Sequence, residues 1–367
     1  MIDRERALDL LGYLRAQEQA MRALLQTLVE LESPSAEPVT QVAMQERLAE
    51  ALMPLGLRCR RLRGRGCGGH LLAVSPATVA ARPRRPQLLL GHMDTVWPTG
   101  TLARNPFREE QGKLRGPGVF DMKAGLVQLV FALKALRERE LEPPLAPVVF
   151  VNSDEEIGSH DSTRHIRRLA RIAGRAFVLE PALGLDGRLK TARKGVGRFE
   201  ITVHGRAAHA GLNPEQGASA ILELSHVIQQ LFDLNDAARG TSVNVGQVDG
   251  GIASNVIAPA SRAVVDVRVR SQVDAERVAR AIHSLRPRDP QCRLEISGRI
   301  GRLPLEPTPR NRRLAQAAQS IAAALGFELG EGEAGGGSDG NTTSLYTATL
   351  DGLGAVGDGA HAEHEFV

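Results

Sequence analysis

From about residue 86 to 180 the chain alternates short apolar runs with a segment of helical spacing. The runs are Gln87 to Leu90, Val148 to Val151 and Phe177 to Leu179, and Met122 to Leu136 places its apolar residues on a helical repeat. This is the βα pattern of a mainly parallel sheet with helices on both faces. Each run is followed at once by polar or acidic residues: His92 and Asp94, then Asp154 to Glu156, then Glu180. In open α/β sheets ligands bind beyond the carboxyl ends of the strands, so these residues should converge on one edge.

After Pro181 the period changes. Phe199, Ile201 and Val203 alternate with Glu200, Thr202 and His204, as in a strand exposed on one face. A helical stretch (Ala218 to Phe232), two strand-like runs (Ser242 to Val248 and Ala263 to Val269), a helix (Ala275 to Leu285) and a last strand (Arg293 to Ile296) follow. The order βαββαβ predicts a ferredoxin-like α+β domain over residues 192–304. It is inserted into a catalytic domain made of residues 1–191 and 305–367, which resumes with a helix over Asn311 to Leu325. At the N-terminus Leu8, Leu11, Leu14, Met21, Leu24, Leu25 and Leu28 predict one amphipathic helix rather than a signal peptide.

A chain of 367 residues exceeds the usual single-domain size, which agrees with two packed units. With 42% hydrophobic and 24% charged residues, the composition is globular. No apolar run approaches the roughly 20 residues of a membrane helix, so no membrane partner is expected. The formal charge is +4, with basic stretches from Arg58 to Arg65 and from Arg82 to Arg85. Aromatic content of only 3% and the lack of a binding motif argue against nucleic acid, and the stretches read as solvated loops. Cys59, Cys67 and Cys292 are odd in number and lack C-x2-C spacing, which suggests neither a disulfide framework nor a cysteine metal site. A reducing cytoplasm fits these cysteines and the N-terminal pattern.

Four clusters carry candidate chemistry. In GHMDTVWPTG, His92 follows a buried strand and Asp94 lies two residues on. On extended backbone both share one face, so Asp94 can accept the ring N–H that His92 does not offer to a metal. In GPGVFDMKAG, Asp121 opens the helical stretch, either as a plain N-cap or as a carboxylate bridging two cations; Gly116, Gly118 and Gly125 allow close packing around it. In VNSDEEIGS, three acids follow a strand. Adjacent side chains on extended backbone point to opposite sides, so one of Glu155 and Glu156 can bind metal while the other faces substrate water. Glu180 in FVLEP is a strand-end acid. Singly, each cluster reads as readily as a loop histidine, a helix cap or a solvated acidic loop.

Together the four resemble, in order and approximate spacing, the metal-site motifs of the M20 family of metallopeptidases. The resemblance extends through ARKGVGRFEITVHGRAAHAG, GGIASNVIAP, VVDVRVR, GGGSDGNTTS and GDGAHAEHEFV. It implies that one metal is held by His92 and Glu180 and the other by Glu156 and His361, with Asp121 bridging. Such a thiolate-free set suits two divalent cations per chain, zinc first and cobalt or manganese as alternatives. Two cations sharing a hydroxide would lower its pKa and polarise the scissile carbonyl, with Glu155 as general base. By chemistry alone His364 could replace His361; the family pattern, a histidine four positions before a Glu-aromatic pair, selects His361. Relatives continue past that pair into a helix, whereas this sequence ends at Val367.

The resemblance also implies substrate contacts in the second domain. His209 is similar to a histidine that reaches the neighbouring subunit's active site and stabilises the oxyanion, which implies a homodimer. Asn255 and Arg268 resemble positions that hold a substrate carboxylate, for which the guanidinium fork is suited. Gly335 to Asp339, including Gly336, is expected to form a loop presenting backbone N–H groups. The implied activity is hydrolysis of an amide bond releasing a C-terminal amino acid from a peptide, folate-like or N-acyl substrate. GGGSDG and the stretch from His92 through Thr101 are closer to the glutamate carboxypeptidase branch, so glutamate is the favoured product. An N-acyl amino acid or diamine-acid deacylase of the same fold is the alternative. A silent binding protein would lack a ligand or the base, yet every expected position is filled.

Overall fold

A computed structural model describes residues 4–76 and 85–367; of the basic stretch at 82–85, residues 82–84 lie outside them. The described residues form two compact units. The first comprises those up to Thr191 together with Pro307–Glu333 and Ser338–Val367; the second comprises Ala192–Glu306 and Ala334–Gly337.

The first unit is built on a six-stranded sheet of β1 (Arg58–Leu62), β2 (His70–Val74), β3 (Gln87–His92), β6 (Pro147–Asn152), β7 (Arg175–Val178) and β14 (Ala348–Leu350). Their order is β1-β2-β6-β3-β7-β14. β3 runs parallel to β6 and β7, and β7 parallel to β14; β2 is antiparallel to β1 and β6. A short hairpin, β4 (Arg108–Glu110) and β5 (Lys113–Arg115), lies outside this sheet. The unbroken apolar runs follow from burial on both faces. Leu89, Val149 and Val151 pack with residues of the helices Glu18–Glu30, Gln41–Leu52 and Ala124–Glu138. Leu88, Leu90, Val148 and Phe150 pack on the other side with Ile166 of the helix Thr163–Ile172.

The chain passes between the units along β8 (Leu189–Arg193) and β13 (Glu331–Ala334). In the second unit β9 (Gly195–His204), β10 (Ser242–Gly250), β11 (Ala260–Val269) and β12 (Arg293–Arg302) form an antiparallel sheet in the order β10-β11-β9-β12. With the helices Ala220–Phe232 and Gln272–His283 this is the ferredoxin-like arrangement. Phe199, Ile201 and Val203 are buried beneath the helices with Val265 and Val267, while their alternating neighbours face outward. Both helices begin where a serine side chain caps the first turn. Ser219 accepts from Leu222 N–H and Ser271 from Asp274 N–H.

Several expectations change. The N-terminal segment is two helices, Arg4–Ala16 and Glu18–Glu30, not one; the first buries no residue, whereas Leu24, Leu25 and Leu28 of the second enter the core. The basic residues from Arg58 onward are not all loop: Arg58–Leu62 is the edge strand β1, whose exposed arginines leave it a poor template for pairing with another chain. The last strand of the second unit continues from Ile296 to Arg302. No helix among the described residues is long and apolar enough to cross a membrane.

Candidate metal centre

The strand ends bring the ligand candidates together. His92 closes β3 in register with Asn152 at the end of β6, and its side chain is 2% exposed. Its Nε2 lies 3.2 Å from Asp121 Oδ1 and 3.5 Å from Glu180 Oε1. On the other side, His361 Nε2 lies 3.0 Å from Glu156 Oε2 and 3.5 Å from Asp121 Oδ2. Two triads of donors therefore share one carboxylate: His92, Asp121 and Glu180, and Asp121, Glu156 and His361. Each oxygen of Asp121 faces a different triad, the geometry a bridging ligand needs.

Asp121 is not a helix cap. It sits in a tight turn, Val119–Lys123, with non-helical backbone and a cis peptide to Met122, before the helix starts at Ala124. Two glycines permit this turn. Gly118 has φ +71°, and a Cβ on Gly125 would lie 2.0 Å from the Leu179 carbonyl oxygen.

The electrostatics are those of a cation site. Burial disfavours charge on His92, but hydrogen bonds to Asp121 and Asp94 hold its pKa well above the ordinary histidine value. His361 is pushed up to about 10 by its hydrogen bonds to Asp121 and Glu156. Burial raises Glu156 to about 7 against the pull of His361. The Oε1 atom of Glu156 is buried and has no hydrogen-bonding partner. Three carboxylates against two imidazoles, one carboxylate oxygen orphaned, is a donor set that divalent cations fit.

The link between His92 and Asp94 differs from expectation. His92 Nδ1 lies 3.0 Å from the Asp94 backbone oxygen and 3.6 Å from its Oδ1. A carbonyl can only accept, so Nδ1 carries the hydrogen and Nε2 is left for a metal. The Asp94 carboxylate also accepts from Ser35 Oγ at 2.7 Å and from the backbone N–H groups of Glu155 and Glu156 at 3.2 and 3.1 Å. Glu155 and Glu156 occupy a turn rather than extended chain, and Asp94 holds both.

Glu365, which the sequence offered only as part of a pattern, has a comparable part. Fully buried, it accepts from Gly118, Phe120 and Asp121 N–H at 2.8, 2.8 and 2.9 Å and from Trp97 Nε1 at 3.2 Å. It thereby clamps the Asp121 turn to the segment carrying His361. His364 stands outside both triads; its carbonyl accepts from Arg115 Nη1.

The residues of the second unit are arranged otherwise. His209 and Asn255 are exposed and lie on adjoining segments: His209 bridges to Val256, and Ala210 N–H donates to the Asn255 carbonyl at 3.0 Å. Arg268 lies toward the far end of β11, eight residues beyond Ala260, a span of about 26 Å. Its fork is engaged by Asp266, Nε to Oδ1 at 2.8 Å and Nη2 to Oδ2 at 3.1 Å. The expected loop Gly335 to Asp339 is divided. The carbonyls of Gly336 and Gly337 accept from Arg193, whereas Ser338 caps the helix Asp339–Ser344, whose first residue is buried.

A third group of potential ligands, Cys67, His70 and Asp161, is buried elsewhere in the first unit. A search for paired cysteines passes over it because the partner three residues on is a histidine, C-G-G-H.

Residues 191–288 match the model of the peptidase dimerisation domain. Carboxypeptidase G2 of Pseudomonas sp. is 27% identical over 95% of this chain and 84% of its own length. Acetylornithine deacetylase of Myxococcus xanthus is 30% identical over 73% of this chain and 71% of its own. Among solved structures, the aminopeptidase PepT of Bacillus cereus shares the fold with a TM-score of 0.76 at 20% identity, covering 95% of this chain and 92% of that one. A metallo-carboxypeptidase of Sulfolobus solfataricus gives a TM-score of 0.71 at 16% identity, covering 95% and 94%.

Proposed function

The chain belongs to the M20 family of peptidases and amidohydrolases, enzymes that hydrolyse C–N bonds, and we infer that it cleaves an amide bond with two divalent cations to release a C-terminal amino acid. The observation that carries this reading is the pair of donor triads sharing Asp121. His92 and Glu180 would hold one cation, Glu156 and His361 the other, and Asp121 both. When bound, the cations supply Lewis-acid polarisation of the amide carbonyl and make water a better nucleophile at neutral pH.

The chain's own residues do the rest. Glu155 takes the proton of the attacking water and delivers it to the leaving amine. Asp94, through the backbone of residues 155 and 156, keeps base and ligand in one fixed turn. Arg268, oriented by Asp266, receives the carboxylate of the released amino acid. His209 with Asn255 acts on the active site of a second copy; their separation from Arg268 along β11 supports this, since one copy of the unit cannot focus both ends on one small substrate.

Glutamate is the product favoured by the likeness to carboxypeptidase G2 along nearly the whole chain. The likeness to an acetylornithine deacetylase supports the second reading, an N-acyl amino acid deacylase. A zinc- or cobalt-supplemented assay over N-acyl amino acids, dipeptides and folate-like glutamate amides tests both. Turnover confined to substrates with an α-carboxylate on the leaving amino acid is expected. Cleavage of none of them by protein carrying its full metal complement would overturn the hydrolase reading.

A further inference from the structure

We propose that Cys67, His70 and Asp161 form a separate site for one thiolate-ligated divalent cation of the zinc type, distinct from the centre at His92 and His361. Cys67 and His70 stand either side of two glycines, and Gly69 has φ +88°, so the turn folds back sharply between the donors. Gly64 closes over it: a Cβ there would lie 2.5 Å from both the carbonyl oxygen and the sulfur of Cys67. Asp161 arrives from another loop, just before the helix Thr163–Ile172. Its Oδ2 lies 3.3 Å from His70 Nε2 and 3.7 Å from Cys67 Sγ. Tetrahedral zinc, with bonds of about 2.0–2.3 Å, sets such N, O and S ligand atoms about 3.3–3.7 Å apart. Asp161 stands at that spacing from both other donors, and all three lie within 4.8 Å of one another.

Burial and charge point the same way. Cys67 is 9%, His70 0% and Asp161 8% exposed. A thiolate and a carboxylate neutralise a dication, leaving no net charge inside, and the thiol proton leaves to solvent on binding. For the fourth position the structure offers the Ser153 hydroxyl. It is fully buried, faces the Cys67 thiol and has no oxygen or nitrogen partner. The Asp161 carboxylate is oriented by Arg65 N–H on Oδ2 and by Arg164 Nη2 on Oδ1, both at 2.8 Å, as ligating carboxylates commonly are.

The ion would brace the catalytic loop. Asp154 Oδ2 accepts from Asp161 N–H at 2.7 Å and from Ser162 N–H at 3.2 Å, so Asp161 belongs to the same folded loop as Glu155 and Glu156. Tying it to Cys67 and His70 pins that loop to the turn before β2.

Sulfur makes the test selective, because none of His92, Asp121, Glu156, Glu180 and His361 can give a thiolate-to-cobalt charge-transfer band. The chelator-treated full chain is titrated with Co2+ while near-ultraviolet absorption is recorded. The expected result is a band that reaches the intensity of one thiolate-ligated cobalt per chain when all sites are filled, is absent in Cys67→Ser, and persists in Cys59→Ser and Cys292→Ser. Asp161→Asn should weaken the cobalt affinity read from that band by about 10–100-fold. A native chain that takes up cobalt to saturation without the band would overturn the proposal, as would an unchanged band in Cys67→Ser. The first of these needs no variant to fold, and sulfur-free cobalt absorption reports the other centre independently.

Discussion

In the first unit His92, Asp121, Glu156, Glu180 and His361 form two close triads that share Asp121, with the turns of Asp121 and Glu156 held by Glu365 and Asp94. In the second, His209 and Asn255 stand exposed at one end of the sheet and Arg268 at the other, paired with its strand neighbour Asp266. The contrast separates two ways of building a site. The proposed cation ligands are cross-braced before any ion arrives, and all but His361, whose side chain is half exposed, lie largely buried. The residues proposed to handle substrate meet something that comes and goes, and under the proposed trans arrangement they gain a common target only when another molecule supplies it.

The strongest test of that contrast lies in the rigid half. Glu155→Gln should lower kcat by at least about a hundredfold while metal content is retained, and Glu156→Gln should lose metal. Elemental analysis beside kinetics checks both, and the reverse pattern would mean the two roles are exchanged. In the open half, His209→Ala should cost about a hundredfold, the range for an oxyanion donor. Its sharper form is complementation: co-refolding Glu155→Gln with His209→Ala should restore activity, because one site of a mixed dimer is then intact. Mixed dimers verified by mass that stay inert would place His209 within its own chain's site.

Smaller effects grade the comparison. Arg268→Ala should weaken kcat/KM for free-acid substrates by about 10–100-fold, the worth of a charge-assisted bond, and leave amidated ones nearly untouched. Equal losses on both would make Arg268 a strand residue paired to Asp266 and nothing more. Asp94→Asn keeps shape but sets an amide NH2 against the N–H of Glu155 or Glu156. A fall in kcat of about tenfold with KM little changed is expected, and steady-state kinetics with circular dichroism separates this from unfolding.

The donor candidates were legible because the apolar strands Gln87–His92 and Pro147–Asn152, buried on both faces, stop abruptly and histidine or acids stand at or just past their ends, and the family resemblance chose among them. The ferredoxin-like order was legible because its strands bury one face, as Phe199, Ile201 and Val203 do. What stayed hidden depended on neighbours. Arg58–Leu62 carries edge-strand arginines that look like a loop without β2 beside it. The break near Gln17 leaves an apolar repeat undisturbed on either side, so two helices read as one. Periodicity could not say that the Asp94 carboxylate serves two backbone amides as well as His92, nor that Asp161 meets Cys67 and His70 across more than 90 residues.

The last turn of the chain carries a consequence for timing. Glu365 reaches back about 245 residues to the amides of Gly118, Phe120 and Asp121, Phe366 bridges to Arg115, and Val367 exchanges backbone bonds with Leu114. During synthesis the ribosome delivers the Asp121 turn long before the segment that clamps it. The sheet and its two covered faces can assemble meanwhile, but the shared carboxylate has no fixed seat until residues 358–367 have emerged. Seating of that carboxylate is thus expected as a late step of folding, after the segment carrying Glu365 has emerged.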